Sequence, residues 1–279
     1  MMRLLQGELR KLIRRPASII TPGIFLGVLV LLFLAIGASY RTVGQVSAGQ
    51  GGGPGAQAAI RSLLQFPGAY GGVVSFVASI GGLFAIAYGA AAAGSDWAWG
   101  MVRVAVARGE SRSRYILAKL AAVLVLLVPA SLVAFLVGVA AVAMAASLAG
   151  LGVGGMGDAA ALQALPWLLV RSWLALCEQA AIGFAIATIA RSQLAGLGVG
   201  IGIYFVESFA VSFWPEWVRY LPFSVVGSLL RDPASVLAAG EQASRYTIDQ
   251  GLALLLVLAY LAASALASAV FLERAEITG

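Results

Sequence analysis

The sequence contains no histidine and only one cysteine, Cys177. Without histidine, zinc sites built on imidazole and catalytic triads that use histidine are excluded, and so is the commonest general base. One cysteine in an apolar run leaves no disulfide framework and no thiolate metal cluster. The Gly-Lys pair is also absent, so the chain has no G-x-x-x-x-G-K-[ST] phosphate loop. We therefore expect no catalytic residue, no metal site and no bound cofactor in this chain.

Charge is scarce as well. Charged residues make up 11% of the 279 residues, against about 25% in ordinary soluble domains. Hydrophobic residues make up 61%, and the mean hydropathy is +0.95. This composition is typical of an integral membrane protein, and no polar stretch is long enough to form a second, soluble domain. Only two of the 18 basic residues are lysines, a bias that looks like GC-rich coding and favours a bacterial or archaeal source.

Six apolar runs are long enough to cross a bilayer, which requires about 20 helical residues. The predicted spans are residues 17–39, 71–93, 115–148, 165–190, 194–214 and 250–272. They predict an all-α integral membrane protein with a single transmembrane domain over residues 1–279. Residues 1–16 are amphipathic and end at Pro16, which indicates an interfacial helix. A signal peptide is the alternative, but the apolar run that follows is longer than the 7 to 15 residues of its core.

A charged loop separates the second and third predicted spans, at residues 94–114, GSDWAWGMVRVAVARGESRSR. Its four arginines and two carboxylates cannot lie in hydrocarbon, because a central Arg or Asp costs roughly 2.5 to 3.5 kcal/mol to insert. Loops rich in arginine are retained in the cytoplasm. This orientation leaves twelve Lys and Arg residues inside and six outside, and it places both termini in the cytoplasm. The external segments are then residues 40–70 and 215–249, and 215–248 either re-enters the outer leaflet or folds as a loop.

This arrangement resembles a type-2 ABC transporter permease, a subunit of six-span bacterial ABC exporters. The resemblance is carried by ELRKLIRRP, GSDWAWGMVRVAVARGESRSRYILAK, ATIARSQLAG, YLPFSVVGSLL and FLERAEIT, and it covers nearly the whole chain. It implies a cytoplasmic coupling helix that docks on an ATP-binding-cassette ATPase subunit. The implied docking residues are Asp96, Trp97, Trp99, Arg103, Arg108, Glu110, Arg112 and Arg114. In the alternative interpretation, the tryptophans are interfacial belt residues and the arginines only set topology.

The resemblance also implies the function. We expect a permease that exports a small molecule, drug, peptide, lipid-like compound or ion. ATP and Mg would bind to the partner subunit, and a second permease copy would complete a homodimer in the cytoplasmic membrane. Two rivals stay open: a proton-coupled secondary transporter that uses Glu178 and Glu207, and a non-transporting anchor or sensor subunit.

Glu178 and Glu207 lie deep in the fourth and fifth predicted spans. They are 14 and 15 residues from Ser192 in the intervening turn, so both should lie about 21 to 22 Å along their helices. Unpaired charges there would be costly, so each must face the bundle or a wet cavity, or be protonated. In one hypothesis, Glu178 and Glu207 form a polar site on the translocation path, and Arg171 lies on the same helix face as Glu178. The other is structural hydrogen bonding to a neighbouring span.

The fifth span contains two overlapping G-x-x-x-G pairs, formed by Gly196, Gly198, Gly200 and Gly202. Glycines at this spacing let two helix backbones approach closely. We expect them to contact a helix of the same bundle or a second copy of the chain.

Overall fold

The chain is a bundle of α-helices. The computed structural model describes residues 2–50, 54–101, 104, 111–231 and 246–275. Within these residues the helices are α1 (Met2–Ile13), α2 (Ala17–Gln50), α3 (Pro54–Leu64), α4 (Gly68–Ala98), α5 (Arg112–Ala149), α6 (Ala159–Ala190), α7 (Gln193–Ala210), α8 (Pro215–Val218), α9 (Pro222–Leu230) and α10 (Gln250–Arg274). No strand occurs among them. The predicted all-α class is confirmed.

Six helices, α2, α4, α5, α6, α7 and α10, contain segments long and apolar enough to cross a membrane. Four of them begin after a side chain that caps the helix: Ser111 before α5, Asp158 before α6, Ser192 before α7 and Asp249 before α10. Each cap accepts a hydrogen bond from a backbone N–H of the first turn, which would otherwise have no helical partner. The number of long apolar helices agrees with the six spans expected from the sequence.

Several helices extend beyond the predicted spans. α2 continues to Gln50, because a helix that has formed adds residues at little cost. α4 continues to Ala98 and so includes Asp96, and α5 already begins at Arg112. The segment between α4 and α5 is therefore shorter than the predicted loop of residues 94–114. At the far end of the chain α7 stops at Ala210, four residues before the predicted end of the fifth span.

Helices α4 and α6 form the centre of the bundle and touch through small residues. A Cβ atom added to Gly89 would collide with the backbone of Ala180, and one added to Gly183 would collide with the backbone of Ile86. Such close approach increases the number of favourable van der Waals contacts between two helices. Around this pair, α2 packs on α5, α7 packs on α4 and α6, and α10 packs on α5 and α6.

The end of the bundle that carries α1 is called the α1 end below. It gathers α1, the C-terminal end of α4, the N-terminal end of α5, the turn between α6 and α7, and the C-terminal end of α10. At the opposite end, the Tyr70 hydroxyl donates a hydrogen bond to the carbonyl of Met156 (2.7 Å), which joins the start of α4 to the segment between α5 and α6.

Candidate functional site

Five of the eight predicted docking residues lie in the described part of the chain, all at the α1 end. They are Asp96, Trp97, Trp99, Arg112 and Arg114. Arg103, Arg108 and Glu110 lie outside the described residues. The five differ in how exposed their side chains are.

Asp96 is 2% exposed, near the C-terminal end of α4. Its Oδ1 lies 3.4 Å from Nζ of Lys11 and 3.4 Å from a guanidinium nitrogen of Arg15. Its Oδ2 accepts a hydrogen bond from the Tyr115 hydroxyl and contacts Nζ of Lys119, a fully buried side chain. The carboxylate is thus occupied within the chain. Contact between Asp96 and a partner stays a prediction that this geometry does not favour.

Glu8 extends these interactions along α1. Its carboxylate lies 3.5 Å from Nζ of Lys11 and 3.8 Å from Nζ of Lys119, so both lysines are shared between two acids. The Asp96 cluster is defined here as Glu8, Lys11, Arg15, Asp96, Tyr115 and Lys119. Because removal of one partner from a buried pair costs about 3 to 5 kcal/mol, the cluster firmly fixes α1 to the ends of α4 and α5.

The two tryptophans stack against arginines. The Arg191 guanidinium lies 5.1 Å from the centre of the Trp97 ring and 5.6 Å from that of Phe271, near the end of α10. Trp97 is half-buried, whereas Trp99 is 64% exposed and has Arg15 over its ring at 5.0 Å. Trp99 therefore offers apolar surface to the outside, while Trp97 joins α4 to the α6–α7 turn and α10.

Arg112 and Arg114 begin α5 and have different roles. A guanidinium nitrogen of Arg112 donates hydrogen bonds to the carbonyls of Ala275 (2.7 Å) and Glu273 (3.4 Å). These are groups that a helix end leaves without a helical partner, so the cation stabilises the end of α10. Arg114 is exposed. Of the two, Arg114 is the one whose side chain faces outward.

Away from the α1 end, Glu207 binds the start of the short helix α9. Its Oε2 accepts hydrogen bonds from the backbone N–H groups of Phe223 and Ser224, both at 3.0 Å, and from the Ser224 hydroxyl at 3.2 Å. Glu207 is 3% exposed and lies on α7. An anion at a helix N-terminus satisfies free N–H groups and complements the helix dipole.

Polar side chains also bind the C-terminal end of α9. The Arg171 guanidinium donates to the carbonyl of Leu229 at 3.3 Å, and the Gln250 amide donates to the carbonyls of Leu229 (3.1 Å) and Arg231 (3.2 Å). Arg171 lies on α6 and Gln250 begins α10. Helix α9 thus has an anion at its positive end and a cation at its negative end, and these come from two different spans.

Glu178 has none of these partners. It is fully buried on α6, and neither carboxylate oxygen has a hydrogen-bond donor among the described residues. Glu207 lies on α7, which packs directly on α6. The two predicted acids therefore lie on neighbouring helices, and of the two only Glu207 is hydrogen-bonded among the described residues.

The family described as ABC-2 family transporter protein matches residues 2–224, from the start of α1 to the start of α9. The chain belongs to this family. No curated protein matches the sequence. The chain is therefore a multi-pass permease of the ABC-2 type, and membership implies association with an ABC ATPase subunit.

The four glycines of α7 fall on two faces of this permease. Gly196 and Gly200 are buried, and an added Cβ would collide with Ala187 on α6 and with the side chain of Ile86 on α4. Gly198 and Gly202 are exposed, with open space where a Cβ would lie. The first pair therefore packs within the bundle, and the second pair faces away from the described part of the chain.

The sequence did not predict the side-chain contacts that join the helices of the permease. Lys119 lies close to the start of the third predicted span, and a charge in an apolar run signals a buried counter-charge. Tyr115, four residues earlier, shares its helix face. Arg191 had no such signal, because a single arginine in a turn is equally consistent with a solvated residue. The binding of Glu207 to α9 could not be predicted either, since it depends on how the chain returns after α7.

Proposed function

We propose that this ABC-2 permease is the membrane subunit of an ATP-driven exporter and that its ATPase partner docks at the α1 end. The observation that supports this is the union of five chain segments at that end through the Asp96 cluster and the contacts of Arg191 and Arg112. Segments joined in this way move together, so force applied to the loop after α4 would reach several spans at once. ATP and Mg bind to the partner, which hydrolyses the nucleotide.

Within the docking region, Trp99 and Arg114 are the described residues that can meet the partner, together with the loop that contains Arg103, Arg108 and Glu110. An exposed aromatic ring beside basic side chains suits an acidic cleft with an apolar floor. Asp96, Trp97 and Arg112 act indirectly, because they position the helices from which the loop departs. The exported compound is a drug, peptide, lipid-like molecule or ion.

The test is a pull-down of the tagged chain from native membranes, followed by mass spectrometry. The parent should recover an ABC ATPase, and Arg114→Glu combined with Trp99→Ala should lose it. The control is Arg61→Glu, which inverts an exposed charge on α3, away from the α1 end. Recovery of no ATPase with abundant, folded parent would contradict the proposal, as would equal recovery with the docking variant.

A second copy of the permease is proposed to pack on the outer face of α7. Gly198 and Gly202 lie on this face beside exposed apolar side chains such as Val206 and Phe209. The variant Gly198→Leu/Gly202→Leu should reduce the dimer fraction seen by light scattering in detergent. The matched control is Gly23→Leu/Gly27→Leu on α2, where two glycines at the same spacing also face open space. Loss of the dimer with the α2 pair instead would place the interface on α2.

Glu178 is the residue proposed to lie on the translocation path, because it is buried without a hydrogen-bond donor among the described residues. Glu178→Gln should reduce export in inverted vesicles, whereas Glu216→Gln, on the short helix α8, should not. The same observation supports a second candidate function, proton-coupled transport. Export driven by a proton gradient in the absence of ATP, and lost with Glu178→Gln, would favour that function over the ATP-driven one.

A further inference from the structure

A side cavity lies between α2, α4 and α5, separate from the docking region and from Glu178. Its volume is about 380 Å³. The residues that line it include Pro22 and Phe25 on α2, Phe84 and Tyr88 on α4, and Pro129 and Ala130 on α5. The cavity extends to Ile13, the last residue of α1. It therefore begins at the α1 end and continues into the membrane-spanning part of the bundle.

Small residues and prolines create this space. Gly81, Ala85 and Ala134 form part of the lining, and none of them has a side chain long enough to fill it. Pro22 and Pro129 lie inside α2 and α5, and each removes a backbone hydrogen bond and disfavours a straight helix. The exposed side chains of Ile19 and Val133 are also part of the lining, so the cavity is open toward lipid.

The cavity is unsuited to water. Most of its lining is apolar, and the hydroxyl groups of Ser18, Tyr88 and Ser131 already have partners. The Ser18 hydroxyl lies 2.9 Å from the Tyr88 hydroxyl and 2.5 Å from the carbonyl of Leu12, and the Ser131 hydroxyl donates to the carbonyl of Val128 at 2.9 Å. A buried water molecule needs two to four hydrogen-bond partners, and this lining does not offer them. An empty space would forfeit dispersion contacts, which leaves hydrocarbon as the suitable occupant.

The volume limits what that occupant can be. At ~30 Å³ for each water-sized group, the cavity holds about a dozen such groups. That is the scale of one acyl chain, not of a whole two-chain lipid. The remainder of the molecule must extend past the end of α1, toward the headgroup region.

The end of α1 carries charge suited to such a headgroup. Arg10 and Arg14 are exposed, and neither side chain has an ion pair or hydrogen bond among the described residues. Lys11 on α1 and Arg15, two residues after its end, instead contact Asp96. Ile13 lines the cavity, directly before Arg14 and one turn after Arg10. Two free guanidinium groups beside the cavity can bind an anionic headgroup bidentately.

We propose that this cavity binds one anionic phospholipid of the adjoining leaflet. One acyl chain lies between α2, α4 and α5, and the phosphate lies against Arg10 and Arg14. Because the Asp96 cluster fixes α1 to α4 and α5, the bound lipid stabilises the position of α1. Binding of this lipid depends neither on export nor on the identity of the exported compound.

Native mass spectrometry of the delipidated full chain with added phosphatidylglycerol or phosphatidylcholine tests the site. We expect one phosphatidylglycerol to be retained per chain and phosphatidylcholine to bind more weakly. Arg10→Gln/Arg14→Gln should weaken phosphatidylglycerol binding about 30-fold. The control is Arg114→Gln/Arg274→Gln, which removes two exposed charges at the same end and should leave the affinity unchanged. Equal effects of the two double variants would overturn the headgroup assignment.

A second pair of variants tests the acyl-chain site. Ala130→Phe fills the cavity and should abolish retention of the lipid. Ala140→Phe adds the same ring to the exposed surface of α5, outside the lining, and should retain it. Equal retention by both, or equal binding of the two lipids by the parent, would overturn the proposal. Should Ala130→Phe fail to fold, the exposed arginine pair at the end of α1 still decides the outcome.

Discussion

At the scale of single residues, the α1 end depends on Asp96. Two cations contact one oxygen of its carboxylate, and a phenol and a buried lysine contact the other. Lys119, fully buried, has no other acid within ion-pair distance among the described residues except Glu8, at 3.8 Å. Asp96 is therefore the main counter-charge at this site, and Glu8 is the second acid.

Removal of that charge should strongly destabilise the permease. Asp96→Asn leaves Lys119 buried without its main counter-charge, a change that costs about 3 to 5 kcal/mol in comparable pairs. We expect a clearly lower midpoint in thermal unfolding in detergent, followed by tryptophan fluorescence. Glu8→Gln should have a smaller effect, because its distance to Lys119 is longer.

The double variant Asp96→Asn/Lys119→Met distinguishes a buried ion pair from general damage at this position. Replacing both partners removes the unpaired charge, so this variant should recover part of the stability lost by Asp96→Asn. A double variant less stable than the single one would show that the pair is not the cause.

Glu207 gives a second prediction for a single residue. Glu207→Ala leaves the first N–H groups of α9 without their acceptor, at a cost of about 1 to 2 kcal/mol. The backbone of Pro222–Leu230 should then exchange hydrogen faster, as measured by mass spectrometry. Glu216→Gln, an exposed acid on α8, should leave the exchange unchanged. Unaltered exchange in Glu207→Ala would mean that α9 is held by packing alone.

At the scale of helices, α9 shows how a short segment can be stable inside a membrane protein. A helix of nine residues is too short to be stable alone in water. Here its apolar side chains are buried, and both of its ends are satisfied by polar groups of α6, α7 and α10. Arg171 and Glu207 thus have a structural role, and their place on the translocation path stays a prediction. Movement of α6 relative to α7 would pull on opposite ends of α9.

The contact between α4 and α6 gives the next prediction. Gly183→Ala places a methyl group against the carbonyl of Ile86, and the two helices must separate to accept it. Overpacking of this kind costs typically 1 to 3 kcal/mol, so the unfolding midpoint should fall. Gly202→Ala is the control, because an added Cβ there meets open space. A Gly183→Ala variant as stable as Gly202→Ala would show that the contact can adjust without cost.

At the scale of the whole molecule, the excess of basic residues at the α1 end predicts its orientation. Loops rich in Lys and Arg stay in the cytoplasm, so Arg114 should be inside and Arg61 outside. With the buried Cys177 replaced by alanine, Arg61→Cys should react with a membrane-impermeant maleimide in intact cells. Arg114→Cys should react only after the membrane is opened. The reverse pattern would invert the topology.

The control for orientation is Leu136→Cys. Leu136 is exposed on α5, within the segment expected in hydrocarbon, and should stay unlabelled in both conditions. Labelling of Leu136→Cys in intact cells would indicate that the membrane boundaries on α5 are misplaced.

The sequence alone determined the class of the molecule, because long apolar runs in a chain of this composition form helices that satisfy their own backbone in lipid. It also located the charged loop and the two buried acids, since charges in apolar surroundings stand out in any sequence. Only the tertiary structure decided what those charges do. Asp96, predicted at a docking surface, is buried among four donors, and Glu207 binds the end of a helix. The physical reason is that a charge is recognised locally, whereas its partner comes from a distant segment and is chosen by packing.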